Sequence, residues 1–181
     1  MKRFLTPAVL FTFSVALMVF TPALAADSDD SDIASQVNIE YEMFRLDNGL
    51  TTIVYTDHST PTIYIGMYYG VGSKDEPPGK TGFAHLFEHL MFQGTENREG
   101  EYFEPFSLAG ATGMNGTTNS DRTNYYATVP TGALDMALWM ESDRISYLLG
   151  AIDQAALEEQ RDVVKNEKRQ GENRPYSALY Q

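Results

Sequence analysis

The run His85-Leu86-Phe87-Glu88-His89 constrains this chain more than any other stretch of it. Residues four apart on an α-helix lie on one face, so a helix here turns two imidazoles in the same direction. Two neutral imidazoles so placed can hold one metal ion at the ~2.0–2.1 Å that zinc accepts from nitrogen. Glu88 is next to His89 in sequence and one turn from His85, so it approaches the same point from the side without ligating. A metal-activated water has its pKa lowered to about 7, and a carboxylate beside it can take the proton. His85 also sits near the start of the helix, where the positive end of the dipole favours the neutral ring that ligation needs. The apolar neighbours Phe83, Leu86, Leu90, Met91 and Phe92 predict that this helix is buried.

Composition narrows the chemistry. The chain has no cysteine, so any zinc must be held by histidine and carboxylate. Two of its three histidines are in this run. The third, His58, lies in the polar loop Thr56-Asp57-His58-Ser59 and is read as exposed and inert. With 13 basic and 25 acidic residues the formal charge is −12, which argues against a nucleic-acid partner, since those need a basic face. A length of 181 residues with 43% hydrophobic content suits one globular domain.

Residues 1–25 read as a secretory signal: Lys2 and Arg3, an apolar run over 8–20, and the small-residue site Ala23-Leu24-Ala25. The apolar run is short for a bilayer span, which takes ~20 residues. No stable membrane insertion is therefore expected after cleavage, and the location is expected to be periplasmic or secreted. Residues 26–36 read as a flexible leader, and 37–181 as the functional domain. Loss of Lys2 and Arg3 takes the charge to 11 − 25 = −14.

Residues 37–46 and 50–56 read as strands around the hairpin signal Asp47-Asn48-Gly49. A third strand is expected over 62–71. The motif helix is expected over 82–93, capped by Thr81 and stopped by Gly94. A second helix follows over 101–109, then a hairpin of 111–118 with 123–129. A helix opened by Pro130-Thr131 runs to 149, and a last helix runs from 153 past 170. This order predicts an α+β fold, a mixed and mostly antiparallel sheet with helices packed on one face. A chain that ends soon after a long polar helix also reads as part of a longer protein.

A catalytic zinc site takes three protein ligands and an open position. The last helix offers Glu158, Glu159, Glu167 and Glu172. Ala156, Gln160, Val163, Val164 and Glu167 share one helical face, which puts Glu167 at the end of a partly apolar stripe. Glu158 falls nearly opposite and Glu159 off the stripe. Phase alone leaves the choice of ligand open.

The stretch Gly79-Lys80-Thr81-Gly82-Phe83-Ala84-His85-Leu86-Phe87-Glu88-His89-Leu90-Met91-Phe92-Gln93-Gly94-Thr95 resembles the zinc helix of the pitrilysin, insulin-degrading enzyme and mitochondrial processing peptidase family. H-x-x-E-H is that inverzincin group's motif. Gln160-Arg161-Asp162-Val163-Val164-Lys165-Asn166-Glu167 resembles the family's downstream helix, whose final glutamate is the third zinc ligand. The resemblance thus implies a Zn2+ ion on His85, His89 and Glu167, with Glu88 as general base. Asn115-Gly116-Thr117-Thr118 resembles the segment that lines the substrate site, which implies substrate binding at Asn115; a turn or strand bulge beside Gly116 accounts for that asparagine equally well. Gln160 stands where many members have a second glutamate behind the ligands; it can still hydrogen-bond there but brings no negative charge.

The family implies an endopeptidase that hydrolyses extended or unfolded peptides, added as a strand along a sheet edge next to the zinc helix. Residues 62–71 are the expected edge. It also implies a second homologous domain or subunit, without which this portion binds zinc and yet is inactive. Two other classes compete. A non-catalytic or scaffold subunit of a heteromeric peptidase has no need of a base beside two ligands. A structural zinc site usually has four protein ligands, and three are found here.

Overall fold

The computed structural model describes residues 38–173 and residue 175. The expected signal and leader, 1–25 and 26–36, lie outside the described residues. The described chain falls into two compact units that divide after Thr56. The first holds one antiparallel hairpin, β1 (Glu42–Arg45) with β2 (Thr51–Val54), in register Glu42 to Val54 and Arg45 to Thr51. Its turn is the Asp47-Asn48-Gly49 signal. Gly49 takes φ 91°, a left-handed backbone that glycine adopts without a Cβ clash, and its N–H donates to Leu46 O at 2.8 Å.

The second unit is built on a three-stranded antiparallel sheet in the order β3-β5-β4. Its strands are β3 (Thr62–Tyr69), β4 (Thr112–Thr118) and β5 (Thr123–Pro130). Alternation decides the two faces. Ala127 and Val129 of β5 are buried with Ile63 and Ile65 of β3 half-buried against the same core, and Tyr125 is buried in a second cluster with Met91 and Leu148. Tyr64 and Tyr68 of β3 stand exposed on the opposite face.

The helices are α1 (Phe83–Leu90), α2 (Glu104–Leu108), α3 (Leu134–Ala151) and α4 (Gln154–Glu172). The inner sheet face is covered by Tyr102 and by Phe106 of α2, and by Ala137 and Met140 of α3. On α3 the buried positions 137, 140, 141, 144 and 148 follow the helical repeat, Asp143 is buried beside them, and the set includes charged side chains. Arg144 is fully buried between the rings of Tyr102 and Tyr125, 4.0 and 4.2 Å from their centroids, and donates to Glu141. Among the described residues no helix is long and apolar enough to cross a membrane.

Four expectations need correction. The motif helix is shorter than 82–93 and is not capped by Thr81: Gly82 occupies the cap position at φ 97°, with no side-chain cap of its own. Gly94 does not stop it. Gly94 lies where a Cβ would come within 2.6 Å of Arg98 O, so close packing of the next turn requires it. Phe83 is 56% exposed rather than buried, because α1 turns Glu88 and Leu90 inward instead. Finally, Pro130-Thr131 opens a short 3-10 turn, and α3 starts at Leu134.

Candidate metal centre

Why α1 begins where it does depends on a residue outside it. The first backbone N–H groups of a helix have no internal acceptor. Glu76, in the preceding loop, supplies both carboxylate oxygens: Gly82 N–H donates to Oε2 at 2.9 Å and Ala84 N–H to Oε1 at 2.8 Å. This anion sits on the positive end of the helix dipole, a favourable place for it. The C-terminal end of α1 is anchored by Met91 and Phe92 against Tyr125, with Phe92 and Tyr125 edge to face at 5.5 Å. Burial pushes the phenol of Tyr125 well up, so a neutral ring underlies the helix. Gly116 of β4 lets this contact close, since a Cβ there would stand 2.7 Å from Phe92 Cζ.

From the helix so held, His85 and His89 turn their Nε2 atoms to a common point, 3.2 Å apart. Glu167 of α4 brings Oε2 to 3.3 Å from each. A tetrahedral centre with ~2.0–2.1 Å bonds separates its donors by about 3.3–3.4 Å. The observed triangle therefore has the edges of three corners of a zinc tetrahedron. Two imidazole nitrogens and one carboxylate oxygen also match the donor types that zinc takes in a site with a free fourth corner. Among the described residues, this is a group of three side chains able to share one metal ion.

Glu88 does not join the triangle. It is 7% exposed, and Oε2 accepts a 2.5 Å hydrogen bond from Thr118 Oγ1. Glu88 and His85 border a cavity of about 510 Å³, whose other walls include Glu76, Thr81, Thr118 and Ser120. The histidine side chains differ in exposure, 40% for His85 and 17% for His89, so the triangle is open on the His85 side.

The remaining expected residues fall as follows. Asn115 lies on β4 at a break in register with β5, and its Oδ1 accepts from Gly116 N–H at 2.9 Å. That is the bulge role weighed for it from sequence, on a strand that does adjoin the motif helix. Gln160 lies on α4 seven residues before Glu167, half-buried, and makes no side-chain hydrogen bond among the described residues. His58 is exposed, as expected. The sheet edge needs correction. Within the expected 62–71, Thr62–Tyr69 does form an edge strand, β3, but the strand packed against α1 is the opposite edge, β4. Proximity in sequence to the motif was misleading, because β5 inserts between the two.

Sequence reasoning passed over Glu76 and Thr118. Glu76 precedes Pro77, which holds it in an extended backbone and makes it read as loop, and that hides its service to a helix six residues on. Thr118 is 30 residues from Glu88, and no local pattern joins them.

Residues 51–180 match the family model described as insulinase, peptidase family M16. The zinc protease PqqE of Helicobacter pylori is 30% identical over 182 residues, covering 99% of this chain and 39% of that protein. Among solved structures, a protease from Helicobacter pylori superposes with TM-score 0.73 at 30% identity, over 79% of this chain and 34% of the other. The first half of the periplasmic protease PqqL from Escherichia coli superposes with TM-score 0.63 at 26% identity, over 71% and 29%. The chain thus spans well under half the length of these relatives.

Proposed function

This chain belongs to the insulinase family, peptidase family M16, and from that premise we propose that it is the zinc-binding part of an endopeptidase acting on extended or unfolded peptides. The observation that carries the proposal is the meeting of His85, His89 and Glu167 at tetrahedral spacing beside a buried Glu88.

In this reading His85, His89 and Glu167 hold Zn2+, which supplies Lewis-acid polarisation of a carbonyl and lowers the pKa of water to about 7. Glu88 is the general base: its carboxylate takes the proton of the attacking water and returns it to the leaving amine. The peptide lies as an added strand along β4, the edge beside α1, where main-chain hydrogen bonds give affinity without regard to side chains. Asn115 bounds that edge. Gln160 supports the centre from α4 without adding charge. A second homologous domain or subunit faces this one across the peptide. A periplasmic or secreted location follows from the signal read in residues 1–25 and agrees with a relative named as a periplasmic protease.

Replacing Glu88 in the full-length protein tests this reading. Glu88→Gln is expected to retain zinc and to lose peptide cleavage. Persistent cleavage would remove Glu88 as the base, and loss of zinc would make it a ligand.

A further inference from the structure

We propose that Thr118 is a positioning residue for the catalytic base: its hydroxyl fixes one oxygen of Glu88 so that the other faces the cavity. The inference rests on the reading of Glu88 as base.

Three observations carry it. The first is the commitment of hydrogens. A threonine hydroxyl has one proton to give. Thr123 Oγ1 lies 3.3 Å from Thr118 Oγ1, but its own proton goes to Val71 O at 3.0 Å. The proton of Thr118 goes to Glu88 Oε2 at 2.5 Å. Thr118 therefore acts on Glu88 as a donor, with no rotation that would make it an acceptor without breaking a bond.

The second is rigidity. Thr118 is the last residue of β4, opposite Thr123, the first of β5, so the hairpin itself sets its backbone. A β-branched side chain keeps few rotamers on a strand. Alternation along β4 turns Gly116 and Thr118 to the face that meets α1, Gly116 under Phe92 and Thr118 at Glu88. The same strand thus sets the height of the helix and the aim of its base.

The third is the state of Glu88. A carboxylate buried to 7% exposure needs a donor, and Thr118 is the one it has among the described residues. Glutamate has three side-chain torsions, and without a fixed contact it samples several of them. Oε1 carries no hydrogen bond among the described residues and is the oxygen free to take a proton from the cavity that Glu88 and His85 border.

The test compares Thr118→Val, which keeps the shape and removes the hydroxyl, with Thr118→Ser, which keeps the hydroxyl, in the full-length zinc-loaded protein. General acid–base assistance is worth about 10²–10⁴-fold, and a base that is present but misaimed forfeits part of it, about 10-fold. Thr118→Val should lower kcat by that factor while leaving KM and zinc affinity unchanged, and Thr118→Ser should restore kcat. A crystal structure of Thr118→Val should show the Glu88 carboxylate turned from its present position. Thr118→Ala repeats the comparison should valine fail to fold. Unchanged kcat in the variant lacking the hydroxyl, or a Glu88 side chain unmoved in its crystal structure, would overturn the proposal. Equal loss of zinc and activity would also overturn it, by making the role structural. Cleavage retained by Glu88→Gln would strike instead at the assignment of the base, which separates the two failures.

Discussion

Removing Glu167 probes the one proposed zinc donor that comes from outside the motif helix. Four-donor zinc sites bind with about 10–16 kcal/mol, so a single donor supplies about 2.5–4 kcal/mol. At 1.4 kcal/mol per decade, that is about two to three decades in Kd. The Glu167 side chain is 47% exposed, so water reaches its corner readily once it is gone. The low end, about 100-fold weaker binding, is therefore expected for Glu167→Ala. Competition against a chromophoric zinc chelator in the full-length protein measures it. Glu159→Ala is the control, since that carboxylate is on the same helix but off the face that meets α1. The reasoning is refuted if Glu167→Ala leaves Kd unchanged, or if Glu159→Ala weakens zinc as much.

Glu76→Ala removes the acceptor from two N–H groups at the start of α1 and should cost about 1–2 kcal/mol in denaturant unfolding. Gly116→Val drives a side chain into Phe92 and Tyr125, and overpacking of about 1–3 kcal/mol should appear as a lowered Tm. Gln160→Glu adds a negative charge on the helical face of α4 that carries Glu167 and should tighten zinc by up to about 10-fold in the same chelator competition.

What was legible in the sequence was mostly local. The Asp47-Asn48-Gly49 turn forms the hairpin its residues predict, because glycine at positive φ is a demand of the turn itself. The motif helix forms where the His85–His89 spacing places it, and the α+β order of elements holds. Helical phase put Glu167 on the packed side of its helix but left the choice among carboxylates open, and the resemblance to the family's downstream helix is what named it. What escaped depends on contacts between distant segments. The helix-capping role of Glu76 follows from a loop path that crosses two prolines. The grip of Thr118 on Glu88 follows from the register of β4 with β5. The edge strand beside α1 is decided by β5 lying between β3 and β4, which no run of residues announces. Buried Arg144 is legible only once two tyrosines from separate elements are seen to enclose it, for a cation between rings gains what the interior otherwise withholds.

The arrangement of the metal centre is tested most directly by anomalous diffraction at the zinc edge from crystals of the full-length protein. The account predicts one peak about 2.0–2.1 Å from His85 Nε2, His89 Nε2 and a Glu167 carboxylate oxygen, with Glu88 outside the coordination sphere. A peak held by other residues, or one that binds Glu88 while Glu167 turns away, would contradict it.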